Sequence, residues 1–190
     1  MNSKKFNTYI DSPVAEYWKE LCLKEGTLKH FERGEHFFRE GEVAKHIGYI
    51  EQGTLKYVAC NDKGDESVMG FEFTGELVAD FPFSIRGMNA RLAVVAESSC
   101  DIWCVPTTTL RERLATDERL KQMVMEATEA VFNTVYDRYK DLYTKTPQQR
   151  YNELISLHPD LFSLYSLRDI ASYLKVTPTH LSRLRRNVEL

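Results

Sequence analysis

The chain has 190 residues, 43% of them hydrophobic, with 25 Lys+Arg against 28 Asp+Glu and a formal net charge of -3. Such a chain can bury one globular core or two modest ones, and its charge balance argues against a uniformly basic coat for nucleic acid. No run approaches the roughly eighteen apolar residues of a membrane span, and the polar start from Met1 to Val14 holds no apolar signal-peptide core, so a cytoplasmic protein with no membrane partner is expected.

Four cysteines, Cys22, Cys60, Cys100 and Cys104, show no Cys-x-x-Cys spacing and no secretory context, and buried free thiols are the expectation. On one strand, Cys100 and Cys104 would share a face with backbones about 13 Å apart at about 3.3 Å per residue, too far for a compact chelate. Metal binding by them is not expected.

After an N-terminal helix the chain changes character. From about His30 to Val105 short apolar runs are punctuated by Gly34, Gly41, Gly48, Gly53, Gly64, Gly70 and Gly75, the mark of antiparallel strands with frequent turns. Asn61-Asp-Lys-Gly64 is the clearest turn, joining a strand near Thr54 to Cys60 with another near Glu66 to Phe73. Further strands are expected around Phe37, His46 to Glu51, Leu92 to Glu97 and Asp101 to Val105. Strands so closely spaced fit a β-roll or barrel, and a plain β-sandwich core is the competing reading.

Beyond Pro106 the pattern turns helical, with a short helix and then a long one beginning near Asp117. Leu120, Val124, Ala127, Val131, Val135, Tyr139 and Leu142 form a stripe that the long helix can lay against a twin, or else against the chain's own β layer. The length favours the twin. Thr146-Pro147-Gln148-Gln149 starts a further helix, with threonine as cap, proline first and glutamine placed for a capping box. That helix ends near His158-Pro159, and a link over residues 160–165 leads to the last pair of helices.

Residues 166–186 read Ser-Leu-Arg-Asp-Ile-Ala-Ser-Tyr-Leu-Lys-Val-Thr-Pro-Thr-His-Leu-Ser-Arg-Leu-Arg-Arg. Leu167, Ile170, Ala171 and Leu174 recur at helical spacing, and Val176, Leu181 and Leu184 form a second apolar set after a short turn. Small Ala171 lets two helices cross closely, and Thr177-Pro178 starts the second one well. Lys175 falls where the turn favours glycine, at a cost of roughly 1 to 2 kcal/mol for a positive φ. This is a helix-turn-helix pattern for duplex DNA. The candidate contacts are Thr177, Pro178, Thr179, His180, Ser182, Arg183, Arg185 and Arg186, with early residues on base edges and arginines on guanine or phosphate. An ordinary pair of amphipathic helices with solvated arginines is the bland alternative. Charge favours the first reading, because residues 145–190 carry 7 Lys+Arg against 4 Asp+Glu while residues 1–144 carry 18 against 24.

The segments Glu32-Arg-Gly-Glu-His-Phe-Phe-Arg-Glu-Gly41, Ile50-Glu-Gln-Gly53, Gly64 and Gly75-Glu76-Leu77 resemble the cyclic-nucleotide-binding β-roll, and the whole order of elements is similar to the Crp/Fnr family of transcription regulators. The resemblance implies an α+β fold in three parts. An N-terminal helix and an antiparallel double-stranded β-roll over residues 1–106 form the sensor. A short helix and a long dimerisation helix cover 107–145, and a C-terminal winged helix-turn-helix with a reduced wing covers 146–190. It also implies a homodimer that sets a recognition helix of each protomer in the major groove, an effector in the roll that reorients the pair, and RNA polymerase as a further partner.

Carried over by residue, Gly75, Glu76 and Leu77 match the effector motif, but the Arg-Ser/Thr-Ala that receives the cyclic phosphate has as its counterpart Arg91-Leu92-Ala93, several residues late and without the hydroxyl. A glutamate can accept from a ribose hydroxyl and a guanidinium can hold a phosphate, so Glu76 with Arg91 or Arg86 retains those two functions. The missing hydroxyl, the longer loop and the apolar Phe81-Pro82-Phe83 weigh against cyclic AMP. An ion pair or helix cap from Glu76 and Arg91 in a degenerate pocket is the preferred reading. Base-reading positions of the family fall on Pro178, Thr179, Ser182 and Arg183, and Pro178-Thr179 replaces the usual Arg-Glu pair, which implies an operator unlike that of the cyclic-AMP regulator. Residues 1–21 hold no cysteine for an iron-sulfur cluster, and His36 and His46 are read as ordinary residues of the roll, not haem ligands. No cofactor is predicted. Nor is an enzyme, since no nucleophile-base set or phosphate loop is present. A signalling module whose helical end contacts protein is the functional alternative.

Overall fold

The computed structural model describes residues 6–186. A helix, α1 (Pro13–Glu25), starts on Ser12, whose hydroxyl accepts from the Ala15 amide, with proline in the first turn. Eight strands follow: β1 (Thr27–Phe31), β2 (His36–Phe38), β3 (His46–Gln52), β4 (Leu55–Cys60), β5 (Glu66–Glu72), β6 (Leu77–Val78), β7 (Ala93–Ala96) and β8 (Cys100–Pro106). They form two four-stranded sheets in the orders β1-β8-β3-β6 and β2-β7-β4-β5, every pairing antiparallel. The chain therefore passes repeatedly from one sheet to the other, as a β-roll does. Between the sheets lie Phe38, Ile50, Leu55, Val78, Val94, Cys100 and Ile102. Close approach fixes Gly53, which has φ +103°: a Cβ there would stand 2.5 Å from Cys100 Sγ and 2.6 Å from the Ser99 carbonyl oxygen.

The expected strands all form, and β1 and the two-residue β6 are added to them. The Asn61–Gly64 turn closes through the Gly64 amide on the Asn61 carbonyl at 2.9 Å, while the Asn61 side chain accepts from the amides of Lys63 and Asp65. Of the four thiols, Cys22, Cys100 and Cys104 are buried and free, whereas Cys60 is exposed and departs from expectation. Burial pushes Cys22 up to about 12 and Cys104 to about 11, so neither is a nucleophile near neutral pH.

Two helices, α2 (Thr107–Thr116) and α3 (Glu118–Thr144), continue the chain, and the Asp117 carboxylate caps α3 by accepting from the Leu120 amide. At 27 residues and about 1.5 Å per residue, α3 is about 40 Å long. Its apolar stripe splits in two. Leu120, Val124 and Ala127 are buried with Val14, Trp18, Leu21, Ile47, Val105 and Leu110 of the same chain, which corrects the expectation that the whole stripe faces a twin. The distal half stays uncovered, with Phe132, Val135, Tyr136, Tyr139, Leu142 and Tyr143 all exposed. A β-roll is too small to cover a helix of this length, so the division follows from geometry.

Four helices complete the chain: α4 (Pro147–Leu157), α5 (Leu161–Leu164), α6 (Leu167–Tyr173) and α7 (Pro178–Arg186). Thr146 and Gln149 form the expected capping box, and the supposed link makes the single turn α5. No strand follows Pro106 among the described residues, and residues 187–190 lie outside them. The four helices do not stand apart from the roll. Ile170, Leu174, Leu154, Leu161, Leu181 and Tyr165 share a core with Val58, Val68, Phe71 and Phe73 of the roll. The Ser172 hydroxyl accepts from the Val68 amide at 3.0 Å, and the Tyr165 hydroxyl reaches the carbonyls of Leu55 (2.9 Å) and Glu72 (2.8 Å).

Where the roll, α3 and the helical end meet, the N-terminal segment is threaded between them. Phe6 packs on Phe71, Phe73 and Tyr173. Asn7 Nδ2 lies 2.8 Å from the Phe71 carbonyl, 2.9 Å from Glu72 Oε2 and 2.8 Å from Glu76 Oε2. The Tyr9 hydroxyl donates to Glu72 Oε2 at 2.7 Å. An amide nitrogen carries two hydrogens, too few for three acceptors, and a protonated Glu72 resolves the shortfall. Burial, and then the adjacent Glu76 carboxylate, push Glu72 well above the ordinary carboxylate range, with Tyr9 and Arg138 opposing.

Glu72 therefore supports the fold at low pH, and that support declines as the pH rises from its ordinary value of 4.5 through the raised folded value. Glu72→Gln, which imitates the protonated acid, should lose less stability than the parent as the pH rises from about 5 to about 8. Thermal unfolding followed across pH reads this directly, and parallel profiles for parent and variant would refute it. Lys175 has φ +55° in the α6–α7 turn, so Lys175→Gly should raise stability by about 0.5 to 1 kcal/mol in urea unfolding, strain relief exceeding the added unfolded-state entropy.

Candidate nucleic-acid interface and effector cavity

The last two helices are set by local chemistry. The Ser166 hydroxyl accepts from the Asp169 amide to start α6, and the Val176 amide donates to the Ala171 carbonyl at 3.0 Å to close the turn. The Thr177 hydroxyl then accepts from the His180 amide at 3.2 Å and caps α7. Leu181 and Leu184 face inward, against a fully buried Ala171. The other face of α7 carries Pro178, Thr179, His180, Arg183, Arg185 and Arg186, all exposed, with Ser182 half-buried and its hydroxyl donating to the Pro178 carbonyl. Thr179, Arg183 and Arg186 are spaced so that one groove can meet them together. Arg185 is turned aside, its guanidinium 4.8 Å from the centre of the Phe162 ring. Arginine on this surface can hold a guanine edge through two bonds or a phosphate through its charge.

Effector candidates are scattered by the fold. Gly75 turns the chain at φ +87° after β5. Glu76 is buried and committed to Asn7 and to the Phe73 amide, which donates to it at 3.0 Å. Arg91 is exposed, its guanidinium 4.5 Å from the Phe83 ring and its amide on Asp80. So Glu76 and Arg91 form neither an ion pair nor a shared cap, contrary to the preferred reading of the sequence. Arg86 is exposed at the end of the helical turn Ser84–Arg86, and Ala93 is buried at the start of β7. Leu77 alone of these candidates borders a half-open cavity of about 210 Å³ lined by the N-terminal segment, α1, β5, the chain after β6, and α3. Walls from Trp18, Phe81, Leu92, Ala127 and Val131 make it mainly apolar.

Reasoning from sequence missed Asn7, Tyr9, Trp18, Glu72 and Arg138, which border this cavity. Only Glu72 left a signal, an acid inside the run Phe71-Glu72-Phe73. The others depend on contacts 60 or more residues apart, such as Asn7 with Glu72 at a separation of 65.

The description "cyclic nucleotide-binding domain" fits residues 28–117. Over 169 aligned residues the chain is 28% identical to the fumarate and nitrate reduction regulatory proteins of Salmonella typhimurium and Escherichia coli K12. The alignment covers 82% of this chain and 66% of those relatives, so it spans just under two thirds of their length. Among solved structures, FixK2 from Bradyrhizobium japonicum superposes with a TM-score of 0.76 at 20% identity, covering 86% of this chain and 84% of that one. A transcriptional regulator of the crp/fnr family from Eubacterium rectale gives 0.70 at 16% identity over 91% and 82% of the two chains. The order of roll, long helix and paired terminal helices agrees with these matches: the chain has the fold of the Crp/Fnr regulators and is similar to them in sequence.

Proposed function

We propose that this chain is a sequence-specific DNA-binding regulator of transcription that works as a homodimer, with residues 1–106 as sensor, 107–145 as the pairing element and 146–190 as the DNA-binding end. The observation that carries it is α7, whose buried residues are Leu181 and Leu184 while Thr179, His180, Arg183 and Arg186 remain exposed on a helix held by its neighbour. Base reading falls to Thr179, Ser182 and Arg183, and backbone contact to Arg186. A modest positive balance on one DNA-binding end gains from a second copy.

The distal half of α3 supports pairing. Phe132, Val135, Tyr136, Tyr139, Leu142 and Tyr143 are exposed, and their spacing of three, four and seven suits a seam between two helices. Rings meet along it, Phe132 stacked on Tyr136 at 6.1 Å and Tyr139 tilted against Tyr143 at 5.0 Å. An apolar row of this extent left in water is a liability unless a partner covers it. By family resemblance, RNA polymerase is the partner that the DNA-bound dimer would meet.

Selection of genomic fragments by the purified protein tests the reading, because a module that contacts only protein enriches no sequence. On the operator so obtained, Arg183→Ala should lower affinity by about 1 to 3 kcal/mol and relax preference at one base position per half-site. Arg186→Ala should weaken operator and random DNA alike and reduce the salt slope by about 1 per half-site. The double variant Phe132→Glu with Tyr139→Glu should be monomeric in light scattering and should lose at least about tenfold in operator affinity, about 1.4 kcal/mol. A dimer that survives this change would place the pairing surface elsewhere.

A further inference from the structure

Two helix ends meet at one side chain. α3 closes on Lys145 and α6 on Leu174. The last carbonyls of a helix have no partner within it and carry the negative end of its dipole. Arg150, on the first turn of α4, serves both: Nη1 donates to the Lys145 carbonyl at 2.7 Å and Nη2 to the Leu174 carbonyl at 3.1 Å. Its Nε is buried with no hydrogen-bond partner among the described residues. The guanidinium plane is thus set by the two carbonyls, at the expense of a third donor.

The two ends belong to parts with different tasks. The exposed apolar residues of α3 run to Tyr143, just before Lys145. Leu174 opens the turn in which Lys175 takes φ +55° and Thr177 caps α7, so placement of its carbonyl sets the direction in which α7 leaves. Other contacts at this joint constrain less. Lys145 Nζ bridges Asp141 of α3 at 2.8 Å and Glu153 of α4 at 2.6 Å, joining α3 to α4 and not to α6. Arg138 of α3 meets α6 over the Tyr173 ring at 5.5 Å, a contact without a directional hydrogen bond. On the roll side α6 is held through Asp169 and Ser172. Release at Leu174 leaves α6 free to turn about the line through those two points.

We propose that Arg150 is a positioning residue: it fixes the angle between the pairing helix α3 and the DNA-facing helix α7, and so the separation of half-sites that the dimer accepts. That separation follows from where two-fold symmetry places the two recognition helices. Arginine suits the task because its rigid fork offers donors in two directions, whereas a lysine ammonium on a flexible stem holds a carbonyl without fixing a plane. The inference rests on the homodimeric DNA-binding reading above, and one of its two tests uses no DNA.

Arg150→Lys and Arg150→Met are compared with the parent as full-length proteins. In a library that carries the selected half-site twice with spacers of graded length, the parent should enrich one spacing. Both variants should keep the half-site sequence, bind the parent's preferred spacing about tenfold more weakly and accept neighbouring spacings nearly as well. A role in stability only would lower affinity at every spacing and keep their rank order, and that result overturns the proposal. For the second test Cys60, the exposed thiol, is replaced by Ser, and His180→Cys carries a spin label on α7 of each protomer. Pulsed electron resonance should give one narrow distance between the labels in the parent background and a broadened distribution with Arg150→Lys. Equal widths overturn the proposal. Arg150→Lys keeps a positive charge beside both carbonyls, so a folded dimer is expected of it even if Arg150→Met unfolds. A parent that enriches no paired half-site counts against DNA binding, while the label distance still decides the role of Arg150. A monomeric parent overturns the inference together with the pairing on which it rests.

Discussion

Three parts of this molecule meet on one buried polar node, and their mutual placement depends on it. Asn7 brings Glu72 and Glu76 together, Tyr9 binds Glu72, and the Glu72 carbonyl accepts from Tyr165 of the helical end. Burying two carboxyl groups side by side is costly unless one gives up its charge. Neutral Glu72 meets that condition and supplies the hydrogen that Asn7 lacks. Around the node, aromatic rings exclude water: Phe6, Phe71 and Phe73 from one side, Tyr165 and Tyr173 from the other. The polar groups set the geometry, and the rings supply adhesion.

Arg138 extends this arrangement to the long helix. Its guanidinium lies over Phe6 of the N-terminal segment and Tyr173 of α6, and it donates to the Phe6 carbonyl. It also borders the cavity, as do Asn7, Tyr9 and Glu72. The side chains that line the apolar space are thus the same ones that hold α3 and α6 to the roll.

How much of this was legible in the sequence follows the range of the interactions involved. Glycine and Asx turns, the Thr146–Gln149 capping box, the Asp117 cap and the strained Lys175 all rest on neighbours within a few residues, and their positions were readable. β6 escaped because two residues carry no periodicity, and α5 because a single turn carries little. The stripe on α3 was legible as apolar but not as divided, since only the size of the roll decides that Ala127 is covered while Tyr139 is exposed. Phe132, Tyr136 and Tyr143 stood outside the stripe for the same reason. In the site, the face of α7 could be read from helical period alone. Glu76 could not, because its partner Asn7 is 69 residues away and belongs to a segment with no pattern.

A second contact fixes the angle at which the helical end sits on the roll. Lys56, on β4, lies 2.9 Å from Glu97 and 2.8 Å from Asp169 at the start of α6, and all three side chains are at most 14% exposed. Burial alone would lower the Lys56 pKa, but its hydrogen bonds to Asp169 and Glu97 outweigh that and hold it above the usual lysine range. Buried ion pairs of this kind add little net stability over well-packed apolar residues, and breaking one by removing a partner costs about 3 to 5 kcal/mol. Their effect is on orientation. Apolar packing of Phe71 and Ile170 would tolerate small rotations of α6, whereas a lysine between two carboxylates has few acceptable positions. Since α7 is carried by α6, the same triad limits the direction in which Arg183 and Arg186 can face.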